Sequence, residues 1–335
     1  MKLLTILIVS ACYVMTTPPP VQAQSLTPTE QAEIVAALQT LLQAEHYSSE
    51  RATQYDQALD ALPLTSPRHD ASVFAIDVHT HLQSVLRDGH LGVYDPQRTR
   101  QIFGSAEFSE PQTHTPEHQN TPLIAALEEG VKLMVMPNFS TATYTRPALV
   151  EAFSELQPMD ALILDLRGNR GGDAQVFRWM ASCLFAEPTP IFAIDWRNGD
   201  SVRVTSRTSQ PDPACLAASN TPLIILVDNM TASTAELVPF ILRNRGRATI
   251  IGEATYGASH AAEFYELPHG FGAMIPIGRT YDPETGEDWE GRGTPVDIPV
   301  SPEDAMDTAQ AIARGHAQCL SLILTLPGFA CEVQP

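Results

Sequence analysis

LIILVDNMTASTAELVPFILRNRGRATIIGEATYGA, residues 223–258, is the stretch from which the rest of the chain can be read. Leu223 to Val227 is an unbroken run of branched aliphatics, which predicts a strand covered on both faces in a parallel sheet. Asp228, Asn229 and Met230 end it. Ser233 and Glu236 stand at capping-box spacing, and Leu237, Phe240 and Ile241 form an apolar stripe behind them, so a helix begins at Ser233. A hydroxyl there lies among unpaired backbone N–H groups at the positive end of a helix dipole. It can attack a carbonyl whose oxyanion is held by the next amide. Serine is equally a favoured N-cap with no chemistry attached, so the local pattern leaves both readings open. Pro239 removes one hydrogen bond inside this helix and predicts a bend.

Upstream, DALILDLRGNRGGD at 160–173 reads as a second buried strand, Ala161 to Asp165, that runs into a glycine-rich turn and then a helix, Ala174 to Phe185. Gly168, Gly171 and Gly172 permit backbone conformations and close approaches closed to other residues. The turn is anion-friendly, but no Gly-Lys-Ser/Thr follows and no G-x-G-x-x-G is present, which excludes the common nucleotide loops. Strands are expected at Lys132–Met136, Thr249–Ile251, Ala262–Leu267 and Ala273–Ile277. A helix capped by Thr145, with Pro147 in its first turn, should run to Leu156, and a last helix should cover 302–319.

The N-terminal third is different. Thr27 to Leu62 has apolar residues at Ile34, Leu38, Leu41 and Leu42 and predicts two or three helices. Another runs from Ser72 to Arg87 and stops at Asp88 and Gly89. His79 and His81 inside it point to different faces and cannot chelate together. His90 follows the helix end on a loop, where a side chain can be aimed into a cleft. Residues 95–120 are polar and turn-rich and read as a connection.

Twenty basic residues against 39 acidic ones give a formal net charge of −19, which excludes nucleic acid and anionic membrane as partners. Residues 1–23 have the form of a secretory signal, with Lys2, an apolar run to Met15 and small Val21 and Ala23 at the cleavage positions. A lipoprotein signal ending at Cys12 is the competing reading. Cys183, Cys215, Cys319 and Cys331 remain after the leader, an even number in an oxidising compartment. Two disulfides are expected, and nearest-neighbour pairing joins Cys183 to Cys215 and Cys319 to Cys331. No Cys/His spacing suggests a metal.

DGHLGVYD, DLRGNRGGD, NMTASTAE, GEATYGA and DWEGRGTPVDIPV together resemble, in order and spacing, the motifs of the S41 peptidases, which include the C-terminal processing and tricorn-type proteases. The resemblance covers about residues 72–300. It implies an α/β fold, a crotonase-like (ClpP-like) core of ββα units with an N-terminal helical subdomain; no PDZ domain is expected between them, because residues 95–130 are too short for the one that many processing proteases carry. The division is then a signal peptide at 1–23, the helical subdomain at 24–94, a connection at 95–120 and the peptidase core at 121–335. By the resemblance Ser233 is the nucleophile. The processing branch has a lysine where this chain has Ala258, so a Ser–Lys dyad is absent. The tricorn-like and retinoid-binding-protein-like branch supplies the other parts: His90 as base and Glu290 as the acid holding its ring. Gly171 or Gly172, with Thr234, would offer the oxyanion hole. Glu287 and Asp288 are rivals of Glu290, and His260 is the rival of His90.

The implied function is an exported, cofactor-free serine endopeptidase acting on peptides or unfolded protein ends, periplasmic or secreted and without a membrane span. The alternative is a non-catalytic protein that uses the same fold to bind a peptide or apolar ligand.

Overall fold

Buried aliphatic runs build the larger of two sheets. The computed structural model describes residues 25–64, 70–103, 122–128, 130–139, 142–156, 161–197, 202–208 and 213–325. In chain order these form α1 (Pro28–Glu45), α2 (Ser49–Asp60), α3 (Ala71–Val85), β1 (Gly92–Tyr94), α4 (Pro96–Phe103), β2 (Leu123–Glu128), β3 (Val131–Val135), α5 (Ala142–Ser154), β4 (Ala161–Asp165) and α6 (Ala174–Leu184). There follow β5 (Pro190–Trp196), β6 (Val202–Arg207), β7 (Leu223–Val227), α7 (Thr234–Asn244), β8 (Thr249–Gly252), β9 (Ala261–Glu266), β10 (Gly272–Tyr281), β11 (Ile298–Pro299) and α8 (Ala305–Thr325). The larger sheet has the order β11-β8-β7-β4-β3-β2, parallel throughout except for the β2–β3 pair. Every residue of β4 and β7 is buried, as expected of central parallel strands with both faces covered. One face packs α5, α6 and α7 through Phe153, Phe177, Met180, Val238 and Ile241. The other receives α8 through Ala305, Ala309 and Ala313.

The second sheet is antiparallel, with the order β1-β10-β5-β6 and β9 also paired to β10. The N-terminal helices lie on it. Leu38, Leu42, Tyr55, Phe74 and Leu82 share one apolar cluster with Phe271, Ala273 and Ile275 of β10 and its approach. Each helix has a side-chain cap: Thr27, Ser48 and Asp70 accept from the first turns of α1, α2 and α3. The segment after α3, Asp88 to His90, lies against Ala258, His260 and Glu290.

Several boundaries differ from expectation. The helix assigned to a Thr145 cap starts at Ala142 and contains Pro147 in its interior. β10 runs on to Tyr281 because its second half pairs with β5, a partner the sequence pattern did not announce. α8 begins at Ala305 and extends to Thr325. Residues 96–99 of the expected connection open α4; residues 104–121, the expected signal segment at 1–23 and Cys331 lie outside the described residues. Cys183 of α6 is bonded to Cys215. Arg247 spans the same two segments, with Nε donating to the Leu184 carbonyl at 2.8 Å and Nη2 to that of Ala218. Among the described residues no helix is long and apolar enough to cross a membrane.

Candidate active site

Ser233 stands between β7 and α7 with φ 57° and ψ −125°, one of two non-glycine residues at positive φ among those described. Such a backbone is strained and persists only where its surroundings dictate it. Asp228 does much of this. Its Oδ1 accepts the amides of Met230 and Thr231 at 3.0 and 2.9 Å and that of Gly168 across the gap at 3.0 Å. The Ala232 amide donates to the Asn169 carbonyl at 2.9 Å. The serine turn is thereby sewn to the glycine-rich turn after β4. Gly171, at φ 96°, comes so close that a Cβ on it would stand 2.8 Å from the Ser233 Cβ.

The capping box takes an altered form. Ser233 N–H donates to Glu236 Oε2 at 2.9 Å, while the Glu236 amide goes to the serine's carbonyl at 2.8 Å, and no side-chain bond caps α7. Glu236, wholly buried, also accepts from Thr255 Oγ1, from Gly257 N at 2.6 Å and from Ala258 N at 2.9 Å. It ties the serine to the Gly257–Ala258 segment. Ala258 is buried, and Gly89 lies against it, where a Cβ would fall 2.6 Å from that of Ala258.

Gly89 leads directly to His90, and Glu290 fixes that loop by its backbone. Glu290 Oε1 accepts Gly89 N–H at 2.6 Å, and Oε2 accepts Ser259 N–H at 2.6 Å and Ser259 Oγ–H at 3.1 Å. The expected bond between Glu290 and the His90 ring is not among these. His90 Nδ1 is buried without a hydrogen-bond partner, and the imidazole next to Glu290 is that of His260, its Nδ1 3.5 Å away. His260 Nδ1 also pairs with Asp88 Oδ2 at 2.9 Å, and Asp88 Oδ1 accepts His90 N–H at 3.1 Å. Of the expected oxyanion donors, Gly171 N–H donates to Asn169 Oδ1 at 2.8 Å, which leaves the amides of Gly172 and Thr234.

Residues 131–300 match the model of peptidase family S41. The chain belongs to peptidase family S41. It is 29% identical over 169 residues to the carboxyl-terminal-processing protease of Synechocystis sp., covering 49% of this chain and 38% of the relative. Against carboxyl-terminal-processing peptidase 1 of Arabidopsis thaliana it is 30% identical over 140 residues, covering 41% and 27%. The match thus spans well under half the length of these curated relatives. Among solved structures the fold resembles the photosystem II D1 C-terminal processing protease, with TM-score 0.54 at 16% identity over 86% of this chain and 97% of the other. It also resembles mature CPAF, with TM-score 0.58 at 12% identity over 91% and 99%. The S41 window contains Ser233, Glu236, His260 and Glu290, whereas Asp88 and His90 precede it.

The electrostatics of this S41 site divide its titratable groups. Burial pushes His90 down to about 4, against the raising effect of Asp88, so its ring is neutral near pH 7. Burial also pushes Glu236 up to about 7, opposed by Thr255 and the three amides. At His260 burial works toward a lower pKa, but the hydrogen bond and charge of Asp88 and the charge of Glu290 outweigh it and raise it. Asp88, His260 and Glu290 bring one donor atom each within 4.8 Å, the geometry of a cation cage. The site is better fitted to an ion pair: Glu290 Oε2 already holds two donors, and Arg51 Nη1 stands 3.8 Å from Asp88 Oδ2. Taken locally, Asp88 is a helix stop and Glu236 a cap. Their partners lie far along the chain, and only the pairing of DGH with a second histidine after GEATYGA hinted at them.

Proposed function

We propose that this S41 protein is an exported serine endopeptidase that cleaves peptides or unfolded protein ends through an acyl-enzyme, without a cofactor, on a crotonase-like core of ββα units. The observation that carries this reading is the positive-φ backbone of Ser233 at the N-terminus of α7, with Gly171 pressed against it. A side chain held on so sharp a strand-to-helix turn is presented for attack, and the Gly172 and Thr234 amides beside it are available to an oxyanion.

In this reading neutral His90 takes the Ser233 proton and returns it to the leaving amine. Glu290 serves His90 through the Gly89 backbone and the Ser259 segment rather than through the ring. The Gly172 and Thr234 amides receive the oxyanion. The Cys183–Cys215 bond and the leader-like residues 1–23 support export, since disulfides persist in oxidising compartments. The relatives' names, carboxyl-terminal-processing protease and peptidase, favour chain ends as substrates.

The test is labelling of the purified protein by a serine-reactive fluorophosphonate. Modification of Ser233, abolished in Ser233→Ala, is the expected result. An unlabelled, folded protein would leave the peptide- or apolar-ligand-binding reading.

A further inference from the structure

Buried charges are costly unless matched, and the surroundings of His260 show how this chain matches two of them. Asp88 and His260 are buried, and the Glu290 side chain is 7% exposed. Each carboxylate performs two tasks. Asp88 Oδ1 accepts His90 N–H and its Oδ2 faces His260 Nδ1 at 2.9 Å. Glu290 Oε1 accepts Gly89 N–H, while its Oε2 faces the same imidazole nitrogen at 3.5 Å. The loop that carries His90 is therefore held by two negative groups, both turned toward one histidine.

The neighbouring elements contribute one further cation. From α2, Arg51 Nη1 lies 3.8 Å from Asp88 Oδ2. Between α1 and α2, Tyr47 packs its ring 4.5 Å from that of His260, and burial raises its hydroxyl to about 12, so it stays neutral. His46 in the same turn is pushed down to about 4 by burial and is neutral, as is His90. Two carboxylates and one guanidinium leave a deficit of one positive charge, and His260 is the group placed to supply it.

We propose that His260 is a positioning residue: as an imidazolium between Asp88 and Glu290 it keeps the Gly89–His90 loop in its working place, and loss of its proton loosens that loop. The proposal rests on the peptidase reading with His90 as base. His260 acts on the reaction only through the two carboxylates. When its ring is neutral, Asp88 and Glu290 face each other across a buried site with Arg51 alone to balance them. One of them must then take a proton or move away from the amides it holds. The sign follows from the raised folded-state pKa of His260. The ordered loop is present at lower pH and is lost as pH rises through that value, whereas His90 limits activity on the acid side.

The experiment compares the pH profile of Ser233 acylation by a fluorophosphonate in the full-length protein and in His260→Gln, which keeps a donor toward Asp88 but carries no charge. The wild type should lose rate on the alkaline side. The variant should be slower by ~10- to 100-fold at neutral pH and lack the alkaline limb, because nothing remains to lose the proton. An unchanged limb in His260→Gln overturns the proposal. So does a loss of ~10⁴-fold or more, which would make His260 the base itself. A second measurement needs no activity: the ring 15N shifts of His260 in isotopically labelled Ser233→Ala protein. An imidazolium at pH 7 is expected, and a neutral ring there overturns the proposal even if His260→Gln does not fold. Absence of labelling in the wild type at every pH would instead defeat the peptidase reading, and the ring shifts would still decide the charge of His260.

Discussion

Glu236 and Glu290 hold neighbouring parts of one short segment by different means. Glu236 accepts the amides of Gly257 and Ala258 and reaches back to Ser233; Glu290 accepts Ser259 and reaches across to Gly89. Every hydrogen-bond partner of Glu236 is a neutral dipole, and burial accordingly pushes it up to about 7. Glu290 is also raised by burial, but His260 works against that rise before any amide does. The serine side of the site is thus set by dipoles, and the histidine side by charges that can be titrated. In the proposed reaction this division suits the two roles: rigid geometry holds Ser233, whose attack angle matters, and adjustable charge lies beside His90, which moves the proton.

The comparison can be broken at its ends first. Ser233→Ala should abolish labelling and lower peptide hydrolysis by ~10⁴-fold or more, with a thermal transition close to that of the parent. Activity surviving in that variant would remove the serine side altogether. His90→Ala should cost ~10²- to 10⁴-fold in turnover while fluorophosphonate-independent measures of folding stay put. Full activity there would pass the role of base to His260 or another group.

Stability measurements sharpen the contrast further. Glu236→Gln places an NH2 group against backbone N–H donors in a site with no exposure, and urea unfolding should show a loss of ~1–3 kcal/mol. The smallest effects concern the two hydroxyls. Thr255 Oγ1 donates to Glu236 and accepts Thr294 N–H at 2.7 Å, so Thr255→Val should cost ~1–2 kcal/mol. Ser259→Ala removes only a 3.1 Å bond to a carboxylate that keeps the amide of the same residue, and should cost ~1 kcal/mol or less. If Ser259→Ala proved the costlier of the two, the assignment of the tighter dipole cage to Glu236 would be wrong.

The parts legible in the sequence share a physical trait: their signal is local. β7 is a continuous aliphatic run and β4 is one up to its last residue, Asp165, and the turn after each carries its own glycines or capping residues. The β5–β6 hairpin escaped because VRVTSR is short and polar on one face, and β5 finds its other partner, β10, more than eighty residues on. The site divides the same way. Ser233 and the glycine turn announce themselves, but the couple of Asp88 with His260 joins residues 172 positions apart, and its worth depends on burial that no local pattern reports. Gly171 was legible as a close approach; that its amide is spent on Asn169 was not.

Cys183 and Cys215, 32 positions apart, are doubly tethered, once by sulfur and once by Arg247 gripping the carbonyls of Leu184 and Ala218. The two fastenings answer to different agents. A reductant opens the first and leaves the second; a denaturant acts on the second and leaves the first. The Arg247 contacts hold α6 against its neighbour whether or not the sulfurs are joined. Reduction alone therefore leaves the two segments joined at Leu184 and Ala218, so the seat of α6 has a non-covalent fastening that survives a change of redox conditions.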